Sequence, residues 1–316
     1  MKPMRTQLDH LPDGRQRELA RVTEILFEEF ADAMKGASSP KKKQGRILKI
    51  ILFGAYARGT WVDAPQTASG YLSGYDLLIV VNQQSLVDFA TCWDRAEDRI
   101  RRDTGIETPV NFIVHTMDEV NGALAQGKSF FTDIIRDGIA LYDLRGSTPF
   151  IAPRPQTAAE ALATAEKHFE DWFARIGQAL AGVRIFAEAR NLRDAAFFLH
   201  QGVERAYSCF LLVETNYSPA THNIKMLRSL AEQIEPDLIA VWPRATKRDR
   251  RLFTLLQRAY IEARYSVHYA ITAEELSWLS ARAEVLRALV ERRLQGRIAQ
   301  LKADAAAGAS VSSVHG

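Results

Sequence analysis

The strongest constraint on the fold of this chain is an abrupt change of residue pattern at residues 147–157. This segment, STPFIAPRPQT, carries Pro149, Pro153 and Pro155, and each proline lacks the backbone N–H that helices and sheets use. Short apolar runs that are typical of buried strands precede it, whereas helical periodicity dominates the sequence after it. The pattern therefore predicts two different architectures joined by a linker, and not one repeated fold.

At 316 residues the chain is long enough for two domains. We predict a domain with a mixed sheet and helices at residues 1–146, a linker at 147–157, an all-helical bundle at 158–303 and a flexible tail at 304–316. The fold class is accordingly α+β.

Composition excludes several kinds of protein. The net charge of +3 is too small to indicate nucleic-acid binding, and Cys92 and Cys209 form neither a disulfide framework nor a paired metal-ligand motif. Basic clusters at residues 41–43 and 244–251 are interpreted as solvated faces, with phosphate binding as the alternative. The N-terminal residues carry no apolar signal-peptide core, and no run approaches the ~18 apolar residues that span a membrane. We therefore expect a cytoplasmic protein without a membrane partner.

Hydrophobic patterning places the elements of each half. In the first half it predicts helices at 14–35, 86–103 and 130–136, and strands at 47–54, 75–82, 110–115 and 139–142. In the second half it predicts helices alone, at 158–189, 192–214, 222–234, 246–270 and 273–303. Thr221 is the predicted N-cap of the third of these helices.

A glycine-containing segment, GAYARG at Gly54–Gly59, follows directly on the first predicted strand. A glycine at a strand exit allows a phosphate to approach backbone amides, and Arg58 can bind a phosphate through two N–H groups. Asp76 opens the next predicted strand, where a carboxylate can hold Mg²⁺. These residues together indicate a nucleotide-binding edge of a sheet.

This order of residues resembles the polymerase-β-like nucleotidyltransferases, in particular the minimal nucleotidyltransferases. Their pattern is Gly-Ser-x-Ala-Arg-Gly, followed by Asp-x-Asp on the next strand. The resemblance assigns Gly54, Ala55, Arg58 and Gly59 to nucleotide binding, and Asp76 to both nucleotide and metal. It implies Mg²⁺ and a nucleoside triphosphate, ATP foremost, as cofactors.

The chain departs from that pattern at the positions that contact phosphate and bind metal ions in the family. Ala55 replaces the phosphate-contacting serine, Gly74 replaces the first aspartate, and Asn111 stands at the position expected for a third carboxylate. Two-metal phosphoryl transfer gathers several anionic oxygens around the cations. The replacements therefore predict an incomplete metal site. The domain is expected to retain the fold and weak nucleotide binding, without efficient transfer.

The second half contains pairs of polar residues spaced to share a helical face. They are His200 with Glu204, His222 with Lys225, and Arg264 with His268. The last pair is expected within one helix, with Tyr260 on the same side and Tyr269 adjacent. A buried polar network within the bundle is the alternative to a functional site.

These residues occur in the order of a Leu-His-Gln-x-x-Glu helix, a His-Asn-x-x-x-Leu segment and a terminal Arg…His pair, which resembles the HEPN superfamily. Some of its members are fused to a nucleotidyltransferase domain. In ribonuclease members the Arg and His of two protomers meet across a dimer interface and cleave RNA without metal. The resemblance implies a homodimer through the bundle and catalytic roles for Arg264 and His268, although only three residues separate them, against four to six in those ribonucleases.

In toxin–antitoxin members of the superfamily a tyrosine just beyond the histidine accepts AMP. That precedent makes Tyr265 and Tyr269 candidate modification acceptors. The expected function is a nucleotidyltransferase–HEPN fusion in nucleotide or RNA metabolism. The alternatives are a metal-independent HEPN ribonuclease and a non-catalytic nucleotide-sensing or assembly module in toxin–antitoxin or defence systems. A nucleotide and RNA are the expected partners.

Overall fold

The computed structural model describes residues 4–36, 44–62 and 71–314, so the basic cluster at 41–43 lies outside the described residues. The chain divides into two compact units. The first is built from Met1–Asp63 and Leu72–Pro155, and the second includes Gln156–Gly316. The described residues 144–157, with their three prolines, contain neither helix nor strand.

The first unit contains a four-stranded mixed sheet. Its strands are β1 (Ile47–Phe53), β2 (Tyr75–Val81), β3 (Val110–Thr116) and β4 (Ile139–Asp143). They lie in the order β3-β2-β1-β4, with β1 antiparallel to both of its neighbours and β2 parallel to β3. Every residue of β2 is buried, in agreement with its apolar run at residues 77–81.

Helices surround this sheet. They are α1 (Asp13–Lys35), α2 (Gly54–Arg58), α3 (Phe89–Cys92), α4 (Asp94–Arg102), α5 (Met117–Ala125) and α6 (Ser129–Asp137). The apolar face of α1 joins one core with side chains of β1 and β2. Pattern analysis missed α5, which begins with a capping box between Thr116 and Glu119.

The single helix predicted at 86–103 is wrong, because this stretch consists of a 3₁₀ turn at Gln84–Leu86 followed by α3 and α4. Trp93, with φ −125°, separates the two helices. Its indole is fully buried and donates a hydrogen bond of 2.7 Å to the Leu86 carbonyl. Burial of this one side chain therefore interrupts a segment whose polar pattern is helical.

The second unit is helical, which confirms the predicted fold class. Its α-helices are α7 (Ala158–Glu188), α8 (Leu192–Thr215), α9 (Ile224–Ile234), α10 (Lys247–Tyr265) and α11 (Ala273–Val314). Helix α8 packs against each of the other four. Gly182 and Gly202 allow α7 and α8 to approach closely, since a Cβ on Gly182 would lie 2.7 Å from the Phe198 ring.

Three helix boundaries differ from the predictions. Helix α10 ends at Tyr265 and not at residue 270, because Ser266 takes an extended conformation. Helix α11 continues to Val314, so residues 304–314, predicted as a flexible tail, are helical; alanine, frequent there, is the strongest helix former. The N-cap of α9 is Asn223 and not Thr221, since the Asn223 side chain accepts hydrogen bonds from the first-turn amides.

Within the described residues, no helix has both the length and the apolar character needed to cross a membrane.

Candidate functional site

Two of the residues predicted to bind a nucleotide, Gly54 and Asp76, lie at the ends of neighbouring strands. Phe53 of β1 pairs with Asp76, which in turn pairs with Asn111 of β3. Gly54 follows directly, and its φ of +76° lies in the left-handed region that glycine adopts without strain. The topology therefore brings Gly54, Asp76 and Asn111 into neighbouring positions.

The metal-binding position assigned to Asp76 lies inside the protein. Asp76 is only 1% exposed, and its Oδ1 accepts a hydrogen bond of 3.1 Å from Nδ2 of Asn111. Among the described residues, no three His, Cys, Asp or Glu side chains are arranged to hold a metal ion. Because two-metal transfer needs several anionic ligands open to the substrate, the residues present do not fit Mg²⁺ in that role.

The position of the expected first aspartate has no room for a side chain. A Cβ on Gly74 would lie 2.8 Å from the Pro109 carbonyl oxygen and 3.4 Å from Nδ2 of Asn111. A contact of 2.8 Å with backbone requires the backbone to move. Gly74 therefore serves close packing between the start of β2 and the segment before β3.

The predicted phosphate-binding arginine faces acidic residues. Arg58 is exposed at the end of α2, which stops at Gly59 in a left-handed conformation, while Ala55 is buried. Burial raises the pKa of the Asp133 carboxyl on α6, and the positive charges of Arg136 and Arg58 partly oppose this effect. A phosphate near Arg58 would have to compete with this carboxylate.

The polar residues predicted in the helical unit form one cluster around Glu204 of α8. Nδ1 of His222 lies 3.0 Å from Oε2 of Glu204, and Nδ1 of His200 lies 3.7 Å from the same oxygen. Burial raises the pKa of Glu204, whereas the hydrogen bond with His222 lowers it. Lys225, on the first turn of α9, is exposed.

Tyr260 of α10 links this cluster to Arg264. The His222 ring stacks on the Tyr260 ring with centroids 4.0 Å apart and an angle of 19° between the planes. The His200 ring lies 5.3 Å from the same centroid, and the Arg264 guanidinium 4.7 Å. The Tyr260 ring is therefore a contact shared by the cluster and the predicted catalytic arginine.

His200 is the buried member of this cluster, with no exposed surface. Within the described part of the chain, neither of its ring nitrogens has a hydrogen-bond partner. Burial, together with the positive charges of His222 and Arg264, lowers the pKa of His200 to about 4. The ring is consequently neutral near pH 7.

Arg264 is exposed in the last turn of α10. Its Nε donates a hydrogen bond of 2.9 Å to the Tyr260 carbonyl, and its guanidinium lies 4.7 Å from the Phe197 ring and 5.0 Å from the Tyr265 ring. No carboxylate of the described residues forms an ion pair with it. Aromatic rings thus hold this cation in place while leaving its charge uncompensated.

His268 lies beyond the helix, in an exposed turn. Its backbone N–H donates a hydrogen bond of 3.2 Å to Oγ of Ser266. The prediction that Arg264 and His268 share a helical face is therefore wrong, because α10 ends at Tyr265. Arg264 lies within the last turn of the helix, and His268 follows the end of the helix in sequence.

The helical unit is similar to a known protein family. Residues 169–293 match the HEPN domain. The match begins within α7, ends within α11 and includes both the Glu204 cluster and the Arg264 site. No curated protein sequence matches the chain.

The sequence patterns did not single out Arg193, whose side chain bonds to the end of α10. Arg193, in the first turn of α8, donates hydrogen bonds of 3.1 Å to the Ala263 carbonyl and 2.7 Å to the Ser266 carbonyl. It thereby binds carbonyls left open at the end of α10. A positive charge in the first turn of a helix is unfavourable, because it lies near the positive end of the helix dipole. An arginine at this position therefore indicates a favourable contact with another part of the chain.

The two candidate modification acceptors of the HEPN domain differ in access. Tyr265 is 75% exposed. Tyr269 is only 3% exposed, its hydroxyl donates a hydrogen bond of 3.2 Å to the Leu255 carbonyl, and burial raises its pKa. Of the two, only Tyr265 offers its hydroxyl to a modifying enzyme.

The basic cluster at 244–251 is largely neutralised within the HEPN domain. Arg244 pairs with the buried Glu232, whereas Arg248 and Arg251 pair with acidic residues of α11, Glu274 and Glu275. These ion pairs favour the interpretation as a solvated face over phosphate binding.

Proposed function

We propose that the HEPN domain is a metal-independent ribonuclease that uses Arg264 and His268, and that the first unit is a nucleotidyltransferase-type domain without transferase chemistry. The observation that carries the proposal is the Arg264 guanidinium, exposed, held on aromatic rings and free of any described ion pair. Exposed His268 lies a few residues further along the chain.

In the proposed reaction, Arg264 and His268 have separate roles. The ribose 2′-hydroxyl attacks the adjacent phosphorus, and His268 exchanges a proton with the attacking or the leaving oxygen. Arg264 stabilises the negative charge that develops on the phosphoryl oxygens. None of these steps uses the sheet edge at Asp76.

The proposal includes a homodimer formed through the HEPN bundle, which places a second Arg264 and His268 near the first pair. Sedimentation equilibrium tests it. A dimer at micromolar concentration supports this part of the proposal, and a monomer throughout contradicts it.

RNA cleavage in EDTA tests the catalytic roles. Wild type is expected to cleave a single-stranded RNA to products with 2′,3′-cyclic phosphate ends, and His268→Ala and Arg264→Ala to lose about 100-fold or more in rate. The matched controls are His168→Ala, whose imidazole bonds to Asn216 at 2.9 Å, and Arg248→Ala, whose guanidinium pairs with Glu274. Equal cleavage by wild type and His268→Ala, or none by wild type, contradicts the proposal.

A second candidate function, nucleotide binding without transfer, is favoured by the sheet edge that joins Gly54 to Asp76. Calorimetric titration with ATP tests it. Wild type is expected to bind ATP, and Arg58→Ala to bind it more weakly. Arg101→Ala is the control, because this arginine pairs with Asp98 on α4. Absence of binding by wild type contradicts this candidate.

A further inference from the structure

The HEPN domain presents a second histidine beside the Arg264 site. His222 lies in the connection between α8 and α9, and its side chain is 54% exposed. Nδ1 faces the Glu204 carboxylate at 3.0 Å. Within the described residues Nε2 has no hydrogen-bond partner. A carboxylate at one ring nitrogen fixes the tautomer and orients the other nitrogen for proton exchange.

The position of this histidine relative to Arg264 is set by Tyr260. The two side chains contact the same ring, His222 by stacking at 4.0 Å and Arg264 through its guanidinium at 4.7 Å. The positive charges of both also reach His200 and contribute to lowering its pKa. The Tyr260 ring is therefore a contact that His222 and Arg264 share.

We infer that His222, oriented by Glu204, is a second acid–base residue of the ribonuclease site, an inference that rests on the proposed function. Strand cleavage moves two protons, and a site with two histidines can serve both. Here Glu204 is a positioning residue, since it acts on the substrate only through His222.

The step balances without any co-reactant. The 2′-O–H bond breaks as the 2′-O–P bond forms, and the P–O5′ bond breaks. One histidine takes the 2′ proton, and the other gives a proton to the departing 5′ oxygen. The products are a 2′,3′-cyclic phosphate and a 5′-hydroxyl, and the phosphorus is neither oxidised nor reduced.

The charged and titratable groups around His222 come from three helices. They are His200 and Glu204 of α8, Lys225 of α9, and Tyr260 and Arg264 of α10. The carboxylate of Glu204 lies at Nδ1 of His222, and the cations lie further along the same cluster.

The test is the pH dependence of RNA cleavage by the full chain in EDTA. Wild type is expected to give a bell-shaped profile between pH 5 and 9. His222→Ala is expected to lose about 100-fold in kcat with little change in KM, and to lose one limb of the bell. His222→Asn is a second variant in case the first does not fold. Glu204→Gln should lower kcat and distort the same limb, and His168→Ala should match wild type.

A substrate that needs no acid then shows which role His222 has. The 4-nitrophenolate of uridine 3′-(4-nitrophenyl phosphate) departs without being protonated. Of His222→Ala and His268→Ala, the variant that cleaves this substrate at the wild-type rate is therefore the one that has lost the general acid. If His222→Ala keeps the wild-type kcat and pH profile while His268→Ala is inactive, the inference is overturned and the proposed function stands. If wild type and His268→Ala cleave equally, the proposed function fails and the inference fails with it.

Discussion

A Cβ on Gly74 would lie 2.8 Å from the carbonyl oxygen of Pro109. That oxygen is held in place, because it accepts a hydrogen bond of 2.8 Å from the backbone N–H of Tyr75, the first residue of β2. The resemblance to nucleotidyltransferases places a metal-binding aspartate at this position. Backbone packing therefore leaves no room at this position for the aspartate that the resemblance implies.

We expect that Gly74→Asp does not create a transferase. The new side chain must displace the Pro109 backbone, and such overpacking costs about 1–3 kcal/mol. Urea unfolding of Gly74→Asp and Gly74→Ala measures this cost, with Gly122→Ala as control, since a Cβ on Gly122 meets no atom within 4 Å. Transfer of label from ATP in the presence of Mg²⁺ by Gly74→Asp, with wild-type stability, would show that our account of this position is incorrect.

The sequence predicted the architecture well where burial is uniform. Every residue of β2 is buried, and the bounds predicted for this strand differ from the structure by one residue. The predicted helix boundary was wrong where a contact between residues distant in sequence determines the end of the helix. Helix α10 ends at Tyr265 in a region where Arg193 binds the terminal carbonyls, and these residues are far apart in sequence.

The same distinction applies to the HEPN site. Its residue types and order were sufficient to single out Glu204, His222 and Arg264. Their arrangement was not predictable from helical spacing, because His222 lies outside a helix and reaches Glu204 through the fold. A period of 3.6 residues describes contacts within one helix only.

Arg193→Ala is expected to impair catalysis without removing a catalytic group. Loss of its hydrogen bonds to the Ala263 and Ser266 carbonyls should lower the free energy of unfolding by about 1–3 kcal/mol. The turn that carries His268 should also become less ordered, so RNA cleavage should decrease. Urea unfolding and kcat measure the two effects. Arg193→Lys keeps the charge but not the planar guanidinium, so its free energy of unfolding and kcat should lie between those of wild type and Arg193→Ala. Wild-type stability and kcat in Arg193→Ala would exclude the positioning role.

Glu232 is expected to be essential for stability. Its carboxylate is buried and accepts a hydrogen bond of 2.7 Å from Nε of Arg228, which is also buried. Burial lowers the pKa of Arg228, and the charge of Glu232 opposes that effect. Glu232→Ala leaves this cation buried without its partner and should reduce the free energy of unfolding by about 3–5 kcal/mol.

The control for Glu232 is an exposed ion pair. Glu274 contacts Arg248 at 3.0 Å on the surface, and Glu274→Ala should change stability by at most about 1 kcal/mol. Urea unfolding of both variants decides the matter. Similar losses in the two would mean that the buried carboxylate contributes no more than a surface one.

His200 is expected to make the protein less stable as the pH falls from about 6.5 to 4. Burial is the main cause that lowers its pKa from 6.5 to about 4. Between these values the unfolded chain binds the proton and the folded chain does not. The contribution of neutral His200 to the free energy of unfolding is therefore fully present above pH 6.5. It decreases on acidification, by about 3 kcal/mol in total for a pKa shift of this size.

His200→Leu isolates this contribution. Both ring nitrogens of His200 lack hydrogen-bond partners within the described residues, so an apolar side chain of similar volume should preserve stability at pH 7.5. Burial also lowers the pKa of His115, which is present in both proteins and cancels in the comparison. Urea unfolding of the two proteins at pH 4.5, 5.5, 6.5 and 7.5 should therefore show a smaller loss for the variant below pH 6.5. Parallel losses in the two proteins would mean that His200 is protonated in the folded state as readily as in the unfolded chain.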